Sequence, residues 1–404
     1  MNISKNKPIC LSRYYLSIIV LFNILFCNNL NAGEIPLSDS TKKQSNLTLI
    51  AFYQQGKVLS TNAFVRGNNL QHIPINSFHA ISLQLSRQTT GEKLWEQLYD
   101  FPRYGVGIYS ARFIHFSEIG KPVAIYGMID IPLFRWKNFS LNSDFGLGFT
   151  FNWESFGEDK YNIALGAEES TYIDAGPSLE YSFENGFMID IGTSFTHFSN
   201  GALKKPNFGI NTFAPKISLG YNFNSLKEAF KYQIVPEYQK QSECFVSFFT
   251  GWENILYNGN DVDSITKNKG VYYSTYGLSA TYNRQISYKS EFGIGLMVGY
   301  MGAANSSITV VNGKLEDKDA SFSDGFELSI FPSYELIINR LSLLVQPGFY
   351  LYRTKYAGRT PVAYQRIGIK YDVLKDISLG ISLRAYRFYI SDYIEWTIGY
   401  RLHL

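Results

Sequence analysis

The chain has 404 residues and a formal net charge of +3, which is too small to indicate nucleic acid as a partner. It contains 30 Tyr, 31 Phe and 33 Gly, and only 18% of its residues are charged, a composition that favours β-structure over helix. After residue 32 no segment has the roughly 18 consecutive apolar residues that a transmembrane helix needs.

The first segment, residues 1–32, has the layout of a secretory signal peptide. Lys5, Lys7 and Arg13 precede the apolar run "YYLSIIVLFNILF", and "NNLNAG" then places the small residue Ala32 at a plausible cleavage point. A retained membrane anchor is the alternative interpretation. We expect the signal to be removed and the mature chain to lie outside the cytoplasm.

Removal of the signal peptide also determines which cysteines remain in the mature chain. Cys10 and Cys27 lie within it, and a lipoprotein site at Cys27 is disfavoured by the bulky Phe26 before it. Cys244 would then be the only cysteine of the mature chain. We therefore expect no intrachain disulfide.

Strict alternation of apolar and polar residues dominates the rest of the chain. In 139–152, "FSLNSDFGLGFTFN", the odd positions are mostly apolar and the even positions are Ser, Asn, Asp, Gly and Thr. The same division recurs in 171–183, 291–300 and 394–404. Successive strand residues point to opposite faces, so each segment predicts a strand with one apolar and one polar face.

The length and the chemistry of these strands distinguish two all-β architectures. A secreted sandwich would also alternate. The segments are about ten residues or longer, which is near the length that a tilted strand needs to cross a bilayer. Their polar faces carry Asp, Glu, Arg and Gly, and aromatic residues lie near their ends. We therefore predict a transmembrane antiparallel β-barrel in the outer membrane of a Gram-negative-type cell.

Eight strands are predicted in each half of the chain. The first half has strands near 79–87, 104–113, 122–133, 139–152, 171–183, 187–198 and 208–223, with a weaker one within 46–66. The second half has strands near 243–253, 270–283, 288–302, 323–336, 340–353, 362–373, 376–388 and 392–404. Long and short connections alternate in the second half, as is typical of outer-membrane barrels.

These sixteen strands fit either two tandem barrels or one large barrel. The first half closes with "KISLGYNF" and the chain ends with "EWTIGYRLHL", and this similarity favours two barrels. The expected domains are then 33–224, a polar linker 225–242, and a second barrel region 243–404 of unknown role.

In "FTHFSNGALKKPNFG", polar residues continue the apolar face of a predicted strand. By alternation His197 and Ser199 continue the outward apolar row of one strand, and Asn211 lies in the outward row of the next. If the two strands pair, the three side chains become neighbours. Imidazole could then activate the serine hydroxyl, Asn211 could orient the ring, and Asn207 with the backbone of "SNG" could stabilise an oxyanion. The alternative is an interfacial polar row without catalysis.

The stretch "HFSNGALKKPNFGIN" resembles the signature of outer-membrane lipid A deacylases of the PagL type, in the acyloxyacyl hydrolase-like group. The stretches "YDFPRYGVGIYSA" and "IGKPVAIYGMIDIP" share this similarity, which covers roughly 60–224. The resemblance implies that His197 is the general base and Ser199 the nucleophile that attacks an ester of lipid A. It assigns Asn200, Gly201 and Asn207 to the oxyanion hole.

The resemblance breaks at one position, because the acidic partner of the histidine falls on Asn211. Either Asn211 orients the ring as a neutral partner, or a carboxylate such as Glu168 or Glu169 reaches over from a loop, or activity is lost. A non-catalytic barrel, a small porin or a scaffold, remains the competing function.

The expected partner is lipopolysaccharide, and no cofactor is expected. With both chain ends periplasmic, the loop 199–207 would face outside, where Lys204 and Lys205 could meet lipid A phosphates or simply form a solvated turn. The other histidines are far apart in sequence and predict no metal site.

Overall fold

The structure is a computed structural model that describes residues 46–157, 159–223, 230–259, 262, 264–304, 306–354, 361–387 and 390–404. The predicted signal peptide lies outside these residues. Two closed antiparallel barrels of eight strands each make up the fold. The all-β prediction is confirmed, and of the two arrangements left open the tandem one is found.

The first barrel runs from β1 to β8 in chain order. Its strands are β1 (Leu47–Val58), β2 (Ser77–Gln88), β3 (Arg103–Phe113), β4 (Gly120–Trp136), β5 (Phe139–Trp153), β6 (Ser170–Ser182), β7 (Phe187–Ser199) and β8 (Ile210–Asn222). The barrel closes because β8 pairs antiparallel with β1. The weak strand predicted within 46–66 is β1.

The second barrel closes by pairing its last strand with its first. Its strands are β9 (Gln241–Ile255), β10 (Val271–Gln285), β11 (Ser290–Met301), β14 (Phe326–Ile338), β15 (Leu341–Arg353), β16 (Ala363–Asp372), β17 (Ile377–Tyr386) and β18 (Ile390–His403). All eight correspond to predicted strands.

Some smaller elements were not predicted. A hairpin of β12 (Ser307–Val311) and β13 (Lys314–Lys318) lies in the long connection of the second barrel. The described residues also form short helices, namely α1 (Leu94–Leu98), α2 (Ser264–Lys269) and α3 (Phe322–Gly325). None of the helices among the described residues is long and apolar enough to cross a membrane.

Burial follows the predicted alternation on both sides of the wall. Along β7, Ile189, Ile191 and Phe195 are exposed on the outer face, whereas Asp190 and Ser194 are buried inside. Inward charges are neutralised in pairs: the Arg103 guanidinium contacts both Asp130 and Glu180 at 2.9 and 2.8 Å. An apolar exterior around a paired polar interior is the arrangement of a membrane barrel.

We call the barrel end with connections 59–76, 154–169 and 200–209 the loop end, and the opposite end, with 137–138 and 183–186, the turn end. At the loop end the interior is aromatic instead of polar. Phe198, Tyr109, Tyr172 and Trp153 pack there with ring centroids 5.0 to 6.3 Å apart. This aromatic cluster gives the loop end of β7 a rigid backing.

The two barrels contact each other at the turn end. The Tyr99 hydroxyl donates a hydrogen bond of 2.7 Å to the Ile337 carbonyl, and the Lys289 ammonium lies 4.7 Å from the centre of the Tyr99 ring. In the connecting segment, Phe230 stacks on Phe101 of the first barrel with a centroid distance of 4.5 Å. These contacts hold the barrels together independently of the loop end.

Candidate active site

The predicted polar row lies on the outer wall at the loop end of β7 and β8. His197 and Asn211 are direct partners in the antiparallel register, and both belong to the outward series of their strands. Phe198, between His197 and Ser199, points inward and packs against Trp153 at a centroid distance of 5.0 Å. Anchoring of Phe198 in the aromatic cluster fixes the two polar residues on the outer face.

His197 has a neutral partner. Its Nδ1 lies 2.7 Å from Asn211 Oδ1, and Asn211 Nδ2 donates to Thr61 Oγ1 at 3.2 Å. Because the amide group donates to Thr61, its oxygen is the atom that faces the ring. That oxygen can only accept, so the arrangement requires a proton on Nδ1 and leaves Nε2 with a free lone pair.

Ser199 belongs to the outward row but is only 7% exposed. Its Oγ accepts hydrogen bonds from Asn207 Nδ2 at 2.7 Å and from the Gly201 backbone N–H at 3.2 Å. Among the hydrogen bonds of these described residues there is none between Ser199 and His197. Such bonds are often long without substrate and shorten in the complex.

Asn200 organises the loop that follows Ser199. Its backbone N–H donates to Asn207 Oδ1 at 3.1 Å, and its side-chain amide donates to the Lys204 carbonyl at 2.8 Å. The first bond orients the Asn207 side chain so that its NH₂ group faces Ser199. The structure therefore brings together all three residues that the sequence assigned to an oxyanion hole.

The two loop lysines differ in their surroundings. Lys205 Nζ lies 3.3 Å from Glu253 Oε1 of the second barrel, a contact that the sequence analysis did not predict. The lysine proposed as a phosphate contact is thus engaged with a carboxylate. Lys204 contributes its carbonyl to the loop and remains a candidate for an anion contact.

Sequence reasoning missed a glycine beneath the histidine ring. Gly209 has φ +71°, and a Cβ built on it would lie 2.9 Å from His197 Cε1. The Gly209 carbonyl accepts a hydrogen bond of 2.8 Å from Asn62 Nδ2. The glycine was visible at the end of "PNFG", whereas nothing in the sequence linked the distant residues Thr61 and Asn62 to the site.

The described residues contain no cluster of three His, Cys, Asp or Glu side chains arranged to hold a metal ion. The His197 ring is held by Asn211, through the contact between Nδ1 and the amide oxygen. The arrangement offers an oriented base, a buried hydroxyl and two N–H donors within one short segment. Such a set can carry out acyl transfer.

Two family models match the chain. The one described as "Lipid A 3-O-deacylase (PagL)" matches residues 79–225, which contain His197, Ser199 and Asn211. The one described as "Acyloxyacyl hydrolase, C-terminal domain" matches residues 242–404, the region of the second barrel. No curated protein sequence is significantly similar to the chain.

Solved structures of outer-membrane proteins also match, at low identity. The siderophore receptor PirA from Acinetobacter baumannii is 8% identical, with 90% of this chain and 69% of that chain covered and a TM-score of 0.24. The ferric-catecholate import receptor Fiu from E. coli K12 is 11% identical, with 89% and 63% covered and a TM-score of 0.23. The toluene transporter TodX from Pseudomonas putida is 9% identical, with 90% of both chains covered and a TM-score of 0.18. This chain spans less than two thirds of the length of Fiu.

Proposed function

We propose that this chain, which belongs to the lipid A 3-O-deacylase (PagL) family, hydrolyses an ester-linked acyl chain of lipid A with Ser199 as nucleophile and His197 as general base. The observation that carries the proposal is the hydrogen-bond chain from Thr61 through Asn211 to His197, beside a serine that two N–H donors already contact.

Acylation of the serine follows from these contacts. With Nδ1–H donated to Asn211, the Nε2 lone pair of His197 takes the Ser199 proton while Oγ forms a bond to the ester carbonyl carbon. The carbonyl oxygen becomes an oxyanion next to Oγ. Asn207 Nδ2 and the Gly201 N–H, which lie 2.7 and 3.2 Å from Oγ, are near enough to turn their hydrogen bonds toward that oxyanion.

Collapse of the tetrahedral intermediate breaks the ester C–O bond. The protonated His197 gives its proton to the departing sugar oxygen, and the acyl group remains on Ser199. Water, activated by the same imidazole, then releases the fatty acid and restores the hydroxyl. Asn211 holds the ring throughout but adds no negative charge, as in Cys-His-Asn enzymes.

The location of the site suits a lipid substrate. The protein is an outer-membrane β-barrel protein, and His197 lies on the outward face of the wall. One step nearer the turn end, Phe195 and Phe213 are direct register partners and are 43% and 47% exposed. An acyl chain lying along the barrel would pack on these rings with its ester beside His197 and Ser199.

The decisive test is lipid A analysis with wild type and Ser199→Ala, both folded in detergent and incubated with lipopolysaccharide. We expect wild type to remove one ester-linked acyl chain, read by mass spectrometry, and Ser199→Ala to be slower by on the order of 10³-fold or more. Ser182→Ala, which removes a hydroxyl that donates to Glu180 at the turn end, is the control and should match wild type. Intact lipid A with a folded wild type would instead favour a non-catalytic barrel.

A further inference from the structure

The second barrel contacts the loop that carries the oxyanion donors, here called the oxyanion loop and defined as residues 199–207. We propose that Glu253 and Asn254 of the second barrel are positioning residues that hold this loop in its catalytic geometry. The inference rests on the proposed function and assigns the second barrel a direct part in it.

Two polar contacts join Lys205 of the oxyanion loop to the end of β9. The Lys205 backbone N–H donates to Asn254 Oδ1 at 3.0 Å, and its ammonium lies 3.3 Å from Glu253 Oε1. Glu253 and Asn254 are consecutive residues, so their side chains leave the strand on opposite sides. Lys205 therefore crosses the rim of the second barrel and engages both faces of the wall.

Both positioning residues are fully buried, with 0% of their surface exposed. Asn254 Nδ2 is directed at the carbonyls of Lys269 and Val271 of its own barrel, at 3.4 and 3.5 Å. The amide nitrogen is thereby turned toward the second barrel and the oxygen toward Lys205. A buried, oriented acceptor and a buried carboxylate make a more rigid anchor than an exposed ion pair.

The other side of the oxyanion loop lies directly against the outer wall of the second barrel. A Cβ built on Gly201 would be 2.7 Å from Ile394 Cδ1 and 3.6 Å from Leu383 Cδ1. Ile394 and Leu383 are register partners on β18 and β17. The wall thus limits how far the Gly201 N–H can move away from Ser199.

Only a short stretch of chain separates Lys205 from the group that contacts the Ser199 hydroxyl. Asn207, which donates to Ser199 Oγ, lies two residues beyond Lys205, and the intervening Pro206 restricts the backbone. Asn200 closes the loop through its hydrogen bond to the Lys204 carbonyl. A shift of Lys205 would therefore displace the Asn207 amide, and a displacement of about 1 Å costs on the order of 10²-fold in rate.

The first test removes the anchor in the full chain with Glu253→Gln combined with Asn254→Ala. We expect kcat for lipid A deacylation to fall by about tenfold or more with KM nearly unchanged, because the donors move and the acyl-binding surface does not. Glu253→Gln alone, which keeps the side-chain shape, should give a smaller loss in the same direction. This single variant replaces the double variant in the test if the double variant folds poorly.

Glu335→Gln is the matched control. Glu335 is another buried carboxylate of the second barrel, with its Oε2 2.6 Å from Lys370 Nζ, but it lies toward the turn end and does not touch the oxyanion loop. Its loss should leave kcat near the wild-type value. Equal losses in Glu335→Gln and in the anchor variants would overturn the proposal, since they would reflect general weakening of the barrel.

Charge reversal adds a rescue that a merely structural role would not produce. Lys205→Glu should lower kcat, and Lys205→Glu with Glu253→Lys should recover part of it. Failure of the double reversal to exceed Lys205→Glu, with both variants folded, would count against an ion pair that positions the loop.

Covalent labelling of Ser199 by a fluorophosphonate probe separates this inference from the proposed function. If wild type labels but leaves lipid A intact, the proposed substrate is wrong, and slower labelling of the anchor variants still supports positioning. If wild type is active and the anchor variants label and turn over at the wild-type rate, positioning is wrong and the function stands. If wild type neither labels nor deacylates, both proposals fail.

Discussion

The last two strands of each barrel carry opposite chemistry near the loop that joins them. In the first barrel the seventh and eighth strands carry His197 and Asn211 outward, with the aromatic Phe198 inward. In the second, the seventh and eighth strands, β17 and β18, carry the apolar pair Leu383 and Ile394 outward, and Arg384 points inward. At these strands of the second barrel the apolar residues lie outside and the charged residue inside, and in the first barrel this order is reversed.

In each barrel, the side chain that points into the lumen needs neighbours that suit it. Arg384 is fully buried and is neutralised by Glu327 and Glu395, with which it forms ion pairs in the lumen. Phe198 needs no such partners because the lumen around it is aromatic. A polar pair on a lipid-facing wall is unfavourable for stability, so we explain the pair of His197 and Asn211 by function.

The largest effect should come from making the first barrel resemble the second. His197→Leu replaces the proposed base with leucine, the residue that β17 carries outward at Leu383. We expect deacylation to fall by on the order of 10⁴-fold, because the substitution removes the group proposed to take the Ser199 proton. The barrel should fold at least as well, since an apolar residue returns to the outward row. Rates by mass spectrometry and heat-dependent gel mobility of the folded barrel measure the two properties.

Phe195→Leu is the control for this substitution, because it changes the neighbouring outward residue of the same strand without touching the base. We expect it to lose far less activity than His197→Leu. Substantial turnover by a folded His197→Leu would show that the inverted row is interfacial, and the contrast between the barrels would lose its catalytic meaning.

A second, smaller effect should come from filling the space beneath the imidazole. Gly209→Ala introduces a Cβ 2.9 Å from His197 Cε1 at a residue with φ +71°. We expect a loss of roughly 1–2 kcal/mol in stability from the left-handed backbone, and about a 10²-fold lower kcat because the ring is displaced. Thermal unfolding and kcat are the measurements.

Gly186→Ala is the control that distinguishes the effect of backbone strain from the effect of displacing the His197 ring. Gly186 has φ +91°, and a Cβ there would lie 2.8 Å from the Asn222 carbonyl oxygen at the turn end, far from the histidine. It should show a similar stability loss with wild-type kcat. If Gly186→Ala lowers kcat as much as Gly209→Ala, the effect is one of barrel stability and the packing beneath the ring has no special role.

The strands could be predicted because a membrane wall forces alternation at every residue. The hairpin of β12 and β13 was missed although Asn312–Gly313 is a strong turn signal, because its flanking strands are short and lie outside the wall. The sequence alone could not distinguish two small barrels from one large barrel, because closure of a barrel depends on pairing between distant strands such as β1 and β8.

The candidate site was predictable to the extent that it is local. His197, Ser199 and Asn211 are brought together by one antiparallel pair of strands that follow each other in the chain. The alternation of the side chains and the pairing of these strands were therefore sufficient to predict that the three residues are neighbours. Thr61 and Glu253 reach the site from other connections, at sequence distances that carry no periodic signal. The sequence suggested that Lys204 and Lys205 could meet lipid phosphates or form a solvated turn. It did not indicate the contact of Lys205 with Glu253, because that contact comes from a distant strand of the second barrel.

The smallest effect should come from the outermost member of the hydrogen-bond chain, which has no counterpart in the apolar pair of the second barrel. Thr61→Val keeps the side-chain shape but removes the acceptor of the Asn211 amide. One hydrogen bond of about 1 kcal/mol is lost, which corresponds to roughly a fivefold lower kcat. Thr61→Ser retains the hydroxyl and should stay near wild type. Equal rates for Thr61→Val and Thr61→Ser would mean that Asn211 holds the histidine without support from the first loop. The polar chain would then end at Asn211.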